Sequence, residues 1–294
     1  MTEKPEYPKG AVVVTGTSSG IGRACALHLD KLGFRVFAGV RREKDGESLQ
    51  NESAERITPL VMDVTDEASV IDAAGSVAHS LADAGLSGLV NNAGIVVSGP
   101  LEFLPITEIR KQIEVNVIGQ IAVTRAFLPL IRKARGRIVN MGSIAGRMAL
   151  PFLGPYSASK YALEAMTDCL RLELLPWGIT VSIIEPGPVK TPIWEKTRET
   201  AGKAAQNYPV QAFELYGPAL SAFGAAAEKA AQGGVLPEAV VRAVEHALTA
   251  RRPKIRYVVG PRAQLQAFLK RILPDRMFDK LIVKRRGLSE KPGS

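Results

Sequence analysis

The 294-residue chain is predicted to adopt an α/β fold in which a doubly wound parallel sheet of about seven strands carries helices on both faces. Short apolar runs rich in β-branched residues alternate with longer segments of helical periodicity. A glycine-rich turn joins the first apolar run to a helix. Strands that are apolar on both faces belong in a parallel sheet covered from both sides.

Seven apolar runs supply the predicted strands, at residues 11–16, 35–40, 57–63, 88–92, 136–143, 179–187 and 254–260. Helices are predicted over 21–32, over roughly 106–134 and in the segment that carries Tyr156. Thr65 is predicted to cap a helix whose first residues, Asp66 and Glu67, suit a helix N-terminus. Residues 188–235 read as an irregular insertion beside a strand end, which predicts a lid over a pocket.

The net charge of +9 is concentrated at the C-terminal end, where residues 251–294 hold 13 Lys/Arg and 3 Asp/Glu. We predict one domain over 1–260 and a basic, amphipathic helical tail over 261–294. Helical spacing of apolar residues predicts a helix over 262–273 that ends at Pro274, formed around Leu265, Phe268, Leu269, Ile272 and Leu273. The alternatives for this tail are packing on its own domain, capping the pocket, or weak contact with an anionic membrane.

Composition narrows the class of protein. Cys25 and Cys169 fall in helical patterns and are predicted to be core residues in a reducing compartment. Three scattered histidines give no zinc spacing, so no metal is predicted. The first nine residues are polar, and no apolar run approaches the roughly 18 residues of a membrane span. We therefore expect a cytoplasmic protein with no nucleic-acid partner.

The turn TGTSSGIG, residues 15–22, has glycines at 16, 20 and 22. It matches neither G-x-G-x-x-G nor a P-loop. Its glycines would still let the backbone approach a pyrophosphate, and the following helix N-terminus would offer free N–H groups. The alternative is a glycine-rich turn without a ligand. A match of residues 16–20 to the G-x-S-x-G nucleophile elbow fails, because no upstream segment supplies an oxyanion loop.

The segment PYSASKYAL, residues 155–163, places Tyr156 and Lys160 one helical turn apart on the same face. A phenol has an ordinary pKa of about 10, and a nearby ammonium would lower it towards neutral pH. That pairing predicts an acid/base group. The alternative is a packed ring beside a solvated amine.

With that pair, the glycine turn, NNAG at 91–94, Asn116 and Ser143 all in order, the chain resembles the short-chain dehydrogenase/reductase superfamily over roughly residues 10–192. The run 132–194 is most similar to the retinol, hydroxysteroid and 3-hydroxybutyrate dehydrogenase branch. The resemblance implies a Rossmann-type fold, an NAD(P)(H)-dependent oxidoreductase and a homodimer or homotetramer that assembles through the helix at 106–134 and the helix of Tyr156. The alternatives are a dinucleotide-binding regulator without catalysis and a dehydrogenase of short hydroxy acids.

The resemblance also implies residue roles. The catalytic set would be Ser143, Tyr156 and Lys160, with Asn116 completing a proton relay. The lysine would also hold the nicotinamide ribose. The phosphates would meet the glycine turn, with Gly16, Ser18, Ser19, Gly20, Ile21 and Gly22. The adenosine would meet Asp63, Val64, Asn92, Ala93 and Gly94. The nicotinamide end would meet Pro186, Gly187, Val189 and Thr191.

The end of the second predicted strand indicates which cofactor is used. Arg41 and Arg42 stand where an NAD-specific site normally has a carboxylate, and Glu43 follows them. In NADP-using relatives an arginine here is joined by a small polar residue of the glycine turn, which Ser19 matches. We predict NADP(H), with Arg41 the main determinant and Arg42 secondary. The alternative is NAD(H), with solvated arginines and the ribose held by Glu43 or a backbone group.

Apolar and aromatic residues cluster in and near the predicted lid. Such a wall suits a bulky lipophilic alcohol or ketone, such as a steroid or retinoid. The alternative is that these residues anchor the lid to the core. They are Tyr208, Phe213, Leu215, Tyr216, Leu220 and Phe223 in the lid, with Trp194, Met148 and Phe152 nearby.

Overall fold

The structure is a computed structural model that describes residues 9–53 and 57–286. Residues 1–8 and 54–56 of the predicted domain lie outside the described residues, and so do residues 287–294 of the predicted tail.

A single seven-stranded sheet forms the centre of the described chain, and all its neighbouring strands are parallel. The spatial order is β3-β2-β1-β4-β5-β6-β7, so the direction of winding reverses between β1 and β4. This confirms the predicted fold class. The strands are β1 (Ala11–Val14), β2 (Arg35–Val40), β3 (Ile57–Val61), β4 (Gly88–Asn91), β5 (Arg137–Met141), β6 (Thr180–Pro186) and β7 (Arg256–Val259).

Helices connect the strands and cover both faces of the sheet. A π-helical turn, Glu114–Ile118, joins the fourth helix to the fifth and makes one long helix of them. In order they are α1 (Gly20–Lys31), α2 (Glu43–Gln50), α3 (Glu67–Leu81), α4 (Ile106–Ile113), α5 (Gly119–Ala134), α6 (Gly154–Glu173), α7 (Ile193–Ala205), α8 (Val210–Gln232), α9 (Pro237–Thr249), α10 (Pro261–Ile272) and α11 (Asp275–Arg286).

The start of α3 differs from the prediction. Asp66, not Thr65, is the N-cap, and its carboxylate accepts hydrogen bonds from the backbone N–H groups of Ala68 and Ser69. The Thr65 hydroxyl instead donates to Asp63 Oδ1 at 2.8 Å. The sequence was ambiguous here because two adjacent residues are both good caps.

Alternate residues of the central strands pack into two separate hydrophobic cores, because successive side chains of a strand point to opposite faces of the sheet. Val12 and Val14 pack with α1 and α9 on one face, whereas Val13 packs with α3 and α5 on the other. Cys25 is fully buried in the first core, and burial raises the pKa of its thiol to about 12. Cys169 is exposed on α6, so its predicted place in the core is wrong.

The long helix from α4 through α5 belongs to the second core. Within the described ranges it is the one stretch whose length and apolar composition would suit a membrane span. Its residues Val123, Phe127 and Ile131 are fully buried against the sheet. It therefore packs as the core helix of an α/β domain.

Residues 188–235, called the lid segment below, are helical and not irregular. They form α7 and α8, and the Ala-rich end of α8 favours a helix. α8 continues through Gly217 and Pro218 without a break. A parallel bridge between Val189 and Val235 ties the two ends of the segment together at its base.

The helix predicted over 262–273 is present as α10, and a second tail helix, α11, follows it. Ala263 of α10 and Phe278 of α11 are buried in a small core with Ile144 and Met148. The predicted apolar face of α10 is therefore divided. Leu269 and Leu273 pack against this core, whereas the remaining three residues of that face are exposed: Leu265, Phe268 and Ile272.

Candidate active site

One cavity of about 1540 Å³ opens where the strands end, beside the reversal point between β1 and β4. Open α/β sheets bind their ligands at this position. Every predicted site residue lines it except Arg42. The lining members are Gly16, Ser18, Ser19, Gly20, Ile21, Gly22, Arg41, Asp63, Val64, Asn92, Ala93, Gly94, Asn116, Ser143, Tyr156, Lys160, Pro186, Gly187, Val189 and Thr191.

Arg42 lies apart from this set. Its guanidinium is exposed and pairs with Asp45 at the start of α2, with Nε 2.9 Å from Oδ2. The pairing does not support its predicted secondary role towards the cofactor, which stays a prediction.

The glycine turn is packed too tightly for side chains at two positions. Gly16 has φ +68°, and a Cβ on it would lie 2.8 Å from Ala93 Cα. A Cβ on Gly22 would lie 2.3 Å from the carbonyl oxygen of Gly16. The bare backbone of this turn can therefore approach a bulky anion at the N-terminus of α1, as a dinucleotide pyrophosphate requires.

Short polar side chains join this turn to the segment NNAG. The Asn92 side-chain amide donates to the carbonyl oxygens of Thr15 and Gly16 at 2.9 and 3.1 Å. The Thr15 hydroxyl accepts from the backbone N–H groups of Asn92 and Ala93, both at 2.9 Å. Thr15 was not singled out from the sequence, although a hydroxyl at a strand end before glycine could have signalled it. The turn and the segment thus form one unit.

A buried row of polar side chains links the neighbouring elements. Asn91 donates to Thr124 Oγ1 at 2.8 Å and to Asn140 Oδ1 at 2.9 Å, and Asn140 donates to Thr167 Oγ1 at 2.9 Å. The row crosses α5, β4, β5 and α6. It fixes α6 against the end of β5, and hence Tyr156 against Ser143. Sequence reasoning missed it because the partners are far apart in the chain.

The predicted catalytic residues meet at the floor of the cavity. Ser143 directly follows β5, and its hydroxyl accepts from Ala145 N at 3.1 Å. Tyr156 and Lys160 lie in the first two turns of α6, which begins with Gly154-Pro155. The Lys160 ammonium is 5.8 Å from the centre of the Tyr156 ring and donates to the carbonyl oxygen of Met141 at 2.6 Å. The predicted shared helix face is thus observed.

The electrostatics differ from the expected lowering of the phenol pKa. Burial raises the pKa of Tyr156, and a hydrogen bond with Ser143 lowers it only in part. Burial also lowers the pKa of Lys160 to about 8, opposed by the nearby Glu164 carboxylate. The ammonium is held at the Met141 carbonyl, so Tyr156 is a neutral phenol here and is poised to donate a proton.

Asn116 lies in the π-helical turn and is fully buried. Its Oδ1 accepts from Ile95 N at 2.9 Å, and its Nδ2 donates to Ile95 O and to Ser159 Oγ, at 3.0 and 3.2 Å. The side chain therefore holds the loop that follows NNAG against α6. Its role in a proton relay stays a prediction.

Arg41 and Asp63 mark the far end of the cofactor side. Burial alone would raise the pKa of the Asp63 carboxyl, but two hydrogen bonds from Thr65 and the charge of Arg41 hold it below its ordinary value. Both residues line the cavity. The arrangement offers one carboxylate and one guanidinium to a nucleotide.

The lid side of the cavity is apolar and aromatic. Phe152 meets the rings of Tyr216 and Phe223 at centroid distances of 6.2 and 5.5 Å, and Tyr216 donates to the Glu102 carboxylate at 2.8 Å. Leu215 and Tyr216 lie outside the cavity lining. The other predicted wall residues line it: Tyr208, Phe213, Leu220, Phe223, Trp194, Met148 and Phe152.

A cluster of charges lies behind α6. The Arg256 guanidinium pairs with Glu164 at 3.0 Å, Asp168 at 2.6 Å and Glu185 at 3.6 Å. Arg147 also pairs with Glu185, whose side chain is fully buried. Burial, and then the Glu185 carboxylate, raise the pKa of Glu164. Since Glu164 is one turn beyond Lys160, the cluster acts electrostatically on the site.

The sequence model of the family described as short chain dehydrogenase matches residues 10–202. An NADPH-dependent 3-dehydrocapnine reductase of Ornithobacterium rhinotracheale is 38% identical over 278 residues, covering 92% of this chain and 95% of that protein. The 17-beta-hydroxysteroid dehydrogenase type 6 of Bos taurus is 39% identical over 281 residues, covering 93% of this chain and 87% of the relative.

Among solved structures, a short chain dehydrogenase from Burkholderia cenocepacia in complex with NADP superposes with a TM-score of 0.69. It is 28% identical, and the match covers 94% of this chain and 96% of the other.

Proposed function

The chain belongs to the short-chain dehydrogenase/reductase family, and on that premise we propose that it moves a hydride between NADP(H) and the hydroxyl or carbonyl carbon of a lipophilic substrate. The observation that carries the proposal is the meeting of Ser143, Tyr156 and Lys160 between two unlike halves of one cavity. One half is a tight glycine-lined cradle. The other half is apolar.

In the proposed reaction the cofactor handles the hydride and the protein side chains handle the proton. The cofactor, when bound, supplies or accepts the hydride at its nicotinamide. In the reductive direction the Tyr156 phenol donates its proton to the substrate oxygen, and the Ser143 hydroxyl hydrogen-bonds the same atom as negative charge develops. The Lys160 ammonium lies beside the phenol and stabilises the phenolate that is left. The raised pKa of Tyr156 keeps the phenol protonated, as the reductive direction requires of a proton donor.

NADP(H) is the favoured cofactor, and NAD(H) is the alternative. Arg41 lines the cavity beyond β2, where a guanidinium can pair with a 2′-phosphate. The NADPH-dependent reductase relative agrees with this choice. By contrast with the Arg41 guanidinium, the Asp63 carboxylate already accepts hydrogen bonds from the backbone N–H and the hydroxyl of Thr65.

The substrate class follows from the apolar half. Its ring-lined wall suits a bulky alcohol or ketone of the steroid or retinoid class, and the hydroxysteroid dehydrogenase relative supports this class. The alternative is a short hydroxy acid, for which polar lining residues of the lid segment such as Arg198 and Gln232 would be the partners.

The test is a screen of NADPH-dependent reduction over steroid, retinoid and short-chain ketones, in wild type, Tyr156→Phe and Tyr161→Phe. Tyr161 is the matched control, since it lies on the same helix, is exposed and does not line the cavity. We expect Tyr156→Phe to lose roughly 10²–10⁴ in kcat while binding NADPH normally. Turnover above about a tenth of wild type in Tyr156→Phe, with chemistry rate-limiting, would contradict the acid role.

We also propose a homodimer or homotetramer. The long helix α4–α5 and helix α6 present apolar side chains to solvent, namely Ile118, Tyr161, Met166 and Leu172. Burying these in a shared interface would remove them from water. Light scattering at micromolar concentration should give at least twice the chain mass of 31.5 kDa. A monomer would overturn the assembly without touching the chemistry.

Weak membrane contact through the tail is a second proposal, for how the protein reaches a lipophilic substrate. Leu265, Phe268 and Ile272 of α10 and Met277 of α11 are each about half exposed, and Arg271 and Lys280 stand exposed nearby. Such a surface fits an anionic bilayer. Co-sedimentation with anionic vesicles should fall when Phe268 and Ile272 are both replaced by Ser. Unchanged binding would exclude this surface.

A further inference from the structure

We propose that Lys196 of the lid helix α7 binds the 2′-phosphate of NADP(H) together with Arg41, and so contributes to the choice of NADP(H) over NAD(H). The proposal rests on the NADP(H) dependence argued above. It adds a cation that comes from the lid segment and not from the sheet.

Hydrogen bonds connect the lid helix α7, the glycine turn and the end of β2. The Lys196 ammonium donates to Ser19 Oγ in the glycine turn at 3.1 Å. The same turn is tied to the end of β2, because the Thr17 hydroxyl donates to the carbonyl oxygen of Gly39 at 3.0 Å. Arg41 follows two residues later. Lys196, Ser19 and Arg41 all line the cavity.

The contact is specific to how the lid segment sits on the glycine turn. The side chain of Thr191, just before α7, lies 3.3 Å from the place of a Cβ on Gly20. The first turn of α7 is therefore carried against the N-terminus of α1. Ser19 is the N-cap residue of α1, yet its hydroxyl makes no capping hydrogen bond and meets Lys196 instead.

The charges at this point favour an anion. An ammonium near a helix N-terminus faces the positive end of the helix dipole, and Arg41 adds a second cation to the same cavity wall. Across residues 9–53 and 57–286 no carboxylate forms an ion pair with Lys196. A dianionic 2′-phosphate would satisfy both cations, whereas the ribose hydroxyl of NAD(H) carries no charge to pair with them.

The experiment measures dissociation constants of NADPH, NADH, 2′,5′-ADP and 5′-AMP by fluorescence and calorimetric titration. The variants are Lys196→Gln, Lys196→Arg and Lys203→Gln. Lys203 is the control, because it lies in the last turn of the same helix and does not line the cavity. We expect Lys196→Gln to weaken NADPH and 2′,5′-ADP about tenfold and to change NADH and 5′-AMP less than twofold.

Lys196→Arg should retain most of the affinity, and Lys203→Gln should retain all of it. Equal weakening of all four ligands by Lys196→Gln, or no weakening of NADPH, would overturn the assignment. The titration of the wild type distinguishes a failure of the proposed cofactor preference from a failure of the role assigned to Lys196. If wild type binds NADPH no better than NADH, the proposed cofactor use fails and the assignment with it. If wild type prefers NADPH and Lys196→Gln matches it, only the role of Lys196 fails.

Discussion

The cofactor side of the cavity is held by hydrogen bonds between backbone and short polar side chains, whereas the lid side is held by contacts between aromatic rings. Thr15 and Asn92 make their bonds at 2.9 to 3.1 Å, and Phe152 meets its ring partners at 5.5 and 6.2 Å. Hydrogen bonds are directional and specify one geometry, but rings pack well at several angles. The cofactor side should therefore tolerate little change and the lid side much more.

The largest effect is expected for Gly22→Ala, which tests the rigid side. A Cβ there would lie 2.3 Å from Gly16 O, so the turn must shift out of its anion-binding shape. We expect NADPH affinity to fall by about 3 kcal/mol, or roughly 100-fold. Isothermal titration measures it.

Gly202→Ala in α7 is the matched control on the lid side. A Cβ on Gly202 meets no atom within 4 Å. NADPH affinity should stay within about twofold, and the helix should gain roughly 0.5–1 kcal/mol. If both alanines weakened NADPH alike, the two sides would not differ in tolerance.

The next effect concerns the charged cluster that supports α6. Arg256→Met leaves Glu164 and Asp168 without their main partner and Glu185 with Arg147 alone. Because Arg256 is partly exposed, we expect a loss of about 2 kcal/mol in the free energy of unfolding, below the cost of breaking a fully buried pair. Urea denaturation measures it. Arg171→Met, which removes a single 3.5 Å pair with Asp168, should cost far less.

A smaller effect is expected on the lid side. Phe223→Ala removes a ring from the wall of the cavity, and we expect KM for a bulky ketone to rise roughly tenfold through lost apolar contact. The dissociation constant of NADPH should not change. Leu215→Ala is the control, since Leu215 is exposed and outside the lining. A change of NADPH affinity in Phe223→Ala would show that the two sides are not separable.

The smallest effect is a shift in a pH profile. Burial lowers the pKa of Lys160 to about 8, so kcat/KM for reduction should decline above about pH 8 as the ammonium loses its proton. The Glu164 carboxylate raises the pKa of Lys160, and Glu164→Gln should therefore move this decline to lower pH by less than about one unit. Asp168→Asn, which also disturbs Arg256, should leave the decline in place.

The lowered pKa of Lys160 also makes the free energy of unfolding depend on pH. The folded chain releases the Lys160 proton at a lower pH than the unfolded chain, whose lysine titrates near its ordinary 10.5. Between these two values the unfolded state binds more protons, so this residue makes stability increase with pH there. Below about pH 8 the folded state bears the full free-energy cost of burying the charged Lys160 side chain.

The sequence predicted well which residues line the cofactor side of the cavity, because the signals that identify them are local. Glycines in one turn, a helix N-terminus and residues just after strands are read from a few neighbouring positions. The lid segment was wrongly predicted to be irregular, whereas α8 continues even through Gly217 and Pro218, which are unfavourable within a helix. Lys196 and the buried row from Asn91 to Thr167 depend on residues distant in the chain, and spacing alone cannot reveal them.

The bridge between Val189 and Val235 anchors both ends of the lid segment on neighbouring backbone, where Lys190 N donates to Val235 O and Val235 N donates to Pro188 O. A segment whose two ends already sit side by side can be exchanged for another of different length at small extra entropic cost. The fold thus offers a natural graft point. Segments with different substrate-contacting residues can be inserted at this point, while β5, which precedes Ser143, and α6, which carries Tyr156, stay unchanged.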